Sequence, residues 1–221
     1  QVMVRQARNA EATALLGEAV GRQPKNTDLR FAYGRMLLDG EDLDGAKSQF
    51  RKVTTIDPGH ADALYSLALL ELETENFRAG EKHLKQLLKL KQHVQNAYYY
   101  LGYATHEQGK LAEALDWYLK VESGDYWSQA QLRAAGIMVQ QDNIGGMQEH
   151  MRSLRQKNAQ MAVQLYIIEG QALTDGGLYQ QAFDLYAQAL DHNPEDLDLL
   201  YSYSLAAEKL NRLDVTETHM R

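Results

Sequence analysis

The chain contains no cysteine. Disulfides and thiolate chemistry are therefore excluded, and the redox compartment is left open. No run of about 18 apolar residues occurs, so nothing in the sequence reads as a membrane span. No secretion signal is visible, although Gln1 is not a natural start and points to a trimmed N-terminus. Lysine and arginine number 23 against 30 acids, a net charge of −7, with no basic cluster of the kind that holds phosphate backbones. Nucleic acid is excluded as a partner on that ground. The seven histidines (His60, His83, His93, His106, His150, His192 and His219) include no i, i+4 pair, so no metal site is expected. No glycine-rich phosphate loop follows a strand, and no serine nucleophile has a recognisable setting. The chain is expected not to be an enzyme and to carry no cofactor. Glu71, Glu73 and Glu75 read as a solvated helix end, the histidines as solvated, and Trp117 and Trp127 as packing residues.

Only three prolines are present, and each falls at a boundary of an internal repeat. The stretch from Asn96 to Val121 reads as two short helices joined by a turn at Gln108-Gly109-Lys110. It recurs at a period of about 34 residues, the signature of stacked helical hairpins. Counting Gln95 as position 1, repeats begin at Thr27, Ala61, Gln95, Ser128, Val163 and Leu197. Position 8 is small throughout: Gly34, Ala68, Gly102, Ala135, Gly170 and Ser204. Position 20 is mostly small: Ala46, Gly80, Ala114, Met147, Ala182 and Thr216. Position 24 is bulky: Phe50, Leu84, Tyr118, Met151, Tyr186 and Met220. Small residues let two antiparallel helices approach, and large ones fill what remains. Pro58 and Pro194 close two repeats, and Pro24 closes a partial one, because proline cannot continue the second helix.

This pattern resembles the tetratricopeptide repeat family. Leu101-Gly102, Ala114, Tyr118 and Val121 carry the resemblance in one repeat, and Gly170, Ala182, Tyr186, Ala189 and Pro194 in another. The implied fold is all-α, a right-handed superhelical solenoid of antiparallel hairpins. Residues 1–221 are expected to form one such solenoid, a fragment of a longer protein. It comprises a partial repeat 1–26, repeats 27–60, 61–94, 95–127, 128–162 and 163–196, and a partial repeat 197–221. Thirteen helices follow from this register, the last from Leu213 to Arg221. Neither end carries a polar capping element, so self-association through the uncapped ends is possible. Met147, where a small residue is usual, predicts a looser hairpin in repeat 128–162. Gly145-Gly146 should weaken a helix there by about 1 kcal/mol per glycine relative to alanine. Ser123-Gly124-Asp125 replaces the proline boundary and predicts a softer joint.

At about 100° per residue, positions 4, 7, 8 and 11 of each first helix face the hairpin partner. Positions 2, 5, 9 and 12 lie about 140° away by the same arithmetic. The resemblance implies that this second side lines a concave groove where peptides and helices bind. Its candidate lining is Phe31, Arg35, Tyr65, Leu69, Leu72, Tyr99, Tyr103, His106, Leu132, Ile167 and Tyr201. Around it lie Asp28, Asp39, Asp62, Glu73, Glu107, Asp198 and Glu208. Two readings stay open. Stacking of the next hairpin covers these side chains, or they form an aromatic floor with acidic rims. The second reading suits a protein or peptide segment that is amphipathic with basic edges. Relatives that clamp a C-terminal carboxylate present lysine, asparagine and arginine on this face. This chain does not, so chaperone-tail capture is not expected.

The segments Val121 to Leu132 and Leu199 to Asp214 are similar to the middle repeats of gammaproteobacterial tetratricopeptide lipoproteins. That similarity implies a non-catalytic scaffold or adaptor, in its narrower form one serving a C-terminal-processing protease. It would be periplasmic and anchored at the outer membrane in its full-length form. The alternatives are a repeat arm of an enzyme such as a glycosyltransferase, or a cytoplasmic peptide-sensing regulator, whose other domain lies outside this chain.

Overall fold

The structure, a computed structural model, describes residues 2–212, with side chains from residue 11 onward. Among these residues there are twelve α-helices and no strand. They fall into two compact units, residues 1–110 and 111–221. The first unit holds α1 (Val2–Arg22), α2 (Thr27–Asp39), α3 (Leu43–Ile56), α4 (Ala61–Glu73), α5 (Phe77–Leu90) and α6 (Val94–Glu107). The second holds α7 (Leu111–Tyr118), α8 (Trp127–Gln140), α9 (Ile144–Lys157), α10 (Ala162–Asp175), α11 (Tyr179–Leu190) and α12 (Leu197–Lys209). A short 3-10 turn, Ala159–Met161, precedes α10. Residues 213–221, with the thirteenth expected helix, Thr216 and Met220, lie outside the described residues.

The helices begin where short polar side chains can take an orphan backbone N–H. Asn26 accepts from Leu29, Asp42 from Gly45, Asn143 from Gly146 and Asp196 from Leu199. They end by a device that repeats without exception in the first helix of every repeat. Position 15 is left-handed at Glu41, Glu75, Gly109, Asp142, Gly177 and Asn211. The next N–H then reaches back to the carbonyl of position 11: Asp42 to Leu37, Asn76 to Glu71, Lys110 to Thr105, Asn143 to Met138, Leu178 to Leu173 and Arg212 to Ala207. This is the Schellman ending, which turns the chain sharply enough for the second helix to fold back. Gly40 has an ordinary φ of −92°, and the left-handed residue of its turn is Glu41.

The small-against-large schedule is met by direct contact. A Cβ on Gly34 would stand 2.6 Å from the Phe50 ring, and one on Gly170 would stand 2.2 Å from the Tyr186 ring. A Cβ on Gly80 would meet the Leu72 side chain at 2.7 Å. Phe50, Leu84, Tyr118, Met151 and Tyr186, the bulky residues of the second helices, are all buried. Met147 is buried too. The α8–α9 pair that it joins is the most thinly packed of the hairpins lying within either unit, as its size predicts. Gly146 is required, since a Cβ there would strike the Asn143 cap, whereas a Cβ on Gly145 would meet nothing within 4 Å.

Two outcomes follow for chemical denaturation monitored by helical circular dichroism. Gly170→Ala should lower stability by roughly 1–3 kcal/mol, because Tyr186 must be displaced. Glu75→Gly and Gly145→Ala should each raise it by about 1 kcal/mol, the first by removing left-handed strain and the second by improving helix propensity. A stabilising Gly170→Ala would contradict the packing described.

Candidate protein-binding face

In the first unit the candidate residues sit on three successive first helices. Phe31 and Arg35 lie on α2, Tyr65, Leu69 and Leu72 on α4, and Tyr99, Tyr103 and His106 on α6. Phe31 is half-buried, tilted against the rings of Phe50 at 5.4 Å and His60 at 5.0 Å. Tyr65 lies flat on His93, with centroids 4.9 Å apart and planes 7° apart. Its hydroxyl accepts a hydrogen bond from Asn96 Nδ2 at 3.1 Å. Tyr100 meets Tyr65 edge-on at 6.0 Å and Tyr99 edge-on at 5.1 Å, so the three rings form one chain across α4 and α6. Leu69, Tyr103 and His106 are partly exposed and Arg35 is exposed.

Leu72 does not belong to this face. It is 4% exposed and packs where Gly80 lets α5 approach α4. In the second unit, Leu132 and Ile167 are half-buried against the core built around Met151, Leu165, Leu173 and Tyr186. Tyr201, by contrast, is 61% exposed, and Leu197 at 79% and Leu205 at 41% continue its stripe along α12. The sequence reading missed Asn96, His93 and Tyr100 as partners of Tyr65. The consecutive tyrosines 98–100 were the signal, because neighbouring residues on a helix must point to different sides.

Several histidines also differ from the solvated reading. His60 caps α4, its Nδ1 accepting from the Ala63 N–H at 3.2 Å, and its ring packs on Phe31. His93 Nε2 lies 2.9 Å from Asp62 Oδ1, which ties the start of α6 to the first turn of α4. His83 and His150 are both pushed below the usual imidazole range, first by burial.

The acids divide in two. Asp28, Asp39, Asp62, Glu73 and Glu107 are exposed around the face. Glu71 is not part of a solvated helix end; it is 1% exposed. It pairs with Lys47 at 2.7 Å and Arg51 at 2.9 Å, both on α3, and accepts from Asn76 Nδ2 at 2.8 Å. Burial pushes its carboxyl up, but the hydrogen bonds from Lys47, Arg51 and Asn76 outweigh this and hold it below the ordinary glutamate value. Glu169 on α10 shows the opposite balance: burial dominates and raises it even beside Arg155 at 2.5 Å. Among the described residues no group of three histidines and acids could hold a metal ion. No described helix is long and apolar enough to cross a membrane.

The sign of the Glu71 shift makes a prediction. A carboxyl lowered in the folded state adds stability above its unfolded pKa and loses it as pH falls through the folded one. Glu71→Gln should therefore cost roughly 1–3 kcal/mol at pH 7. The gap to the wild type should narrow as pH falls below about 4.5. Urea titrations at pH 7 and at pH 3.5 check this; a gap that widens in acid would refute it.

A tetratricopeptide repeat family profile matches residues 2–61, 65–130 and 169–215. A TPR repeat-containing protein of Pseudomonas aeruginosa is 34% identical over 128 residues, covering 58% of this chain and 22% of the relative. The TPR repeat-containing protein YpiA of Bacillus subtilis is 22% identical over 197 residues, covering 89% of this chain and 39% of the relative. The chain thus spans well under half the length of either relative. Among solved structures, YrrB, described as a TPR protein with an unusual peptide-binding site, superposes with a TM-score of 0.58 at 13% identity. That match covers 85% of this chain and 96% of YrrB, and it speaks to the fold alone.

Proposed function

This chain belongs to the tetratricopeptide repeat family, and from that premise we propose that it is a protein-interaction scaffold which seats a partner segment across α2, α4 and α6. The observation that carries this reading is the partly exposed row of Tyr65, Leu69, Tyr99 and Tyr103, bordered by exposed acids. Tyrosines of this kind offer large contact area, few rotors to freeze and a hydroxyl for polar groups. The acidic border favours a partner with basic edges, chiefly by steering its approach. YrrB is described as having a peptide-binding site. Peptide binding by this chain is the corresponding proposal.

The longer protein is proposed to act as a delivery platform, bringing a substrate to a processing protease while anchored by an N-terminal lipid at the outer membrane. The similarity of Val121 to Leu132 and of Leu199 to Asp214 to the lipoprotein group is what supports this reading. A full-length reading frame with a lipid-attachment cysteine, and radiolabelled palmitate incorporation, would test it. A flanking catalytic domain would favour the enzyme-arm alternative instead.

The binding reading is tested directly. Partners are captured with the full-length protein and identified by mass spectrometry, and affinity is then measured for Tyr99→Ala/Tyr103→Ala. The double variant should keep its helical circular dichroism and bind about tenfold or more weakly, the loss expected of truncated aromatic anchors. Unchanged affinity would remove this face as the binding site.

A further inference from the structure

The second helix of repeat 95–127 is shorter than its counterparts. The second helices α3, α5 and α9 each run 14 residues, whereas α7 stops after 8, at Tyr118. The chain then crosses residues 119–126 irregularly, with Gly124 left-handed at φ 89°. Beside this segment there is a cavity of about 660 Å³. That is the size of small-molecule sites, typically about 300–1,000 Å³.

The wall is apolar and the fittings are few. Trp127, Leu154, Met161 and Leu165 line it, opposite the irregular segment. At its edge Gln131, 2% exposed, is locked at both ends. Its Nε2 donates to the Val121 carbonyl at 3.3 Å, which fastens the segment down, and its Oε1 faces His150 Nε2 at 2.7 Å. His150 must therefore donate through Nε2. Burial, and then the charge of Lys157, push its imidazole below the usual range. Two charged residues remain on the lining, Lys157 and Glu122. Lys157 has no carboxylate within ion-pair distance among the described residues. Glu122 stands on the irregular segment.

We propose that this cavity is a binding site for a small amphipathic monoanion, an apolar chain laid against Trp127, Leu154 and Leu165 with a single carboxylate on Lys157. The site is separate from the tyrosine face, which lies in the other unit. An apolar body recovers free energy by leaving water, and a lone cation at the rim selects the head group.

The test uses the full chain carrying Trp117→Phe. Trp127 is then the sole tryptophan and reports on the cavity it lines. Octanoate, octanol and octylamine are titrated below their aggregation limits while Trp127 emission is followed. Octanoate should give a saturable change, with octanol at least tenfold weaker and octylamine weaker still. Lys157→Gln, at an exposed position, should lower octanoate affinity about tenfold, leave octanol unchanged and preserve the circular dichroism. The proposal is overturned by the lack of a saturable response to octanoate. It is equally overturned if octanol matches octanoate, or if octanoate binding ignores the loss of Lys157. The tyrosine variants should leave this titration unaltered, which separates its failure from that of the peptide-binding reading.

Discussion

A large side chain of each second helix must lie across a small one of the first. Phe50 over Gly34 and Tyr186 over Gly170 leave no room for even a methyl group between the helices. Close approach of this kind buries the bulky residue completely and makes the hairpin the unit of structure. Everything else is arranged to permit it. The chain must reverse within a few residues, so position 15 takes the left-handed conformation in all six repeats that have one described, whether or not glycine is there. Glu41, Glu75 and Asp142 accept backbone strain so that the next residue can close the turn onto position 11.

Where that constraint is relaxed, the molecule changes locally. Met147 stands in a small-residue position and the α8–α9 pair packs thinly. Immediately upstream α7 ends early, and a buried glutamine takes up the Val121 carbonyl. These two departures border the same cavity, since Leu154 and His150 come from α9 and Leu119 and residues 121–124 from the segment after α7.

The fold was legible in the sequence because its determinants recur along one dimension. Small residues at positions 8 and 20, a bulky one at 24 and proline at the boundary can be counted without knowing any distance. The candidate site was legible only in part, because its determinants lie across repeats. Glu71 looks like one of three surface acids until Lys47 and Arg51, 24 and 20 residues earlier, are placed against it. Leu72 has the spacing of a groove residue, but the fold-back of α5 covers it. His60 and His93 have no motif at all. Their roles come from packing against position 5 of their own repeat.

That last arrangement bears on how such a face can bind. Phe31 and Tyr65 are neither sealed nor free: each leans on a histidine from the end of its repeat and leaves part of its ring open. The contact that joins one repeat to the next therefore also fixes the ring that a partner would meet. A tyrosine held by His93, Asn96 and Tyr100 has little rotamer freedom left to lose. Ordering costs are met when the repeats stack, before any partner arrives. A face built this way recognises shape through preset rings, and its affinity for a segment depends on how well the stack beneath it is maintained.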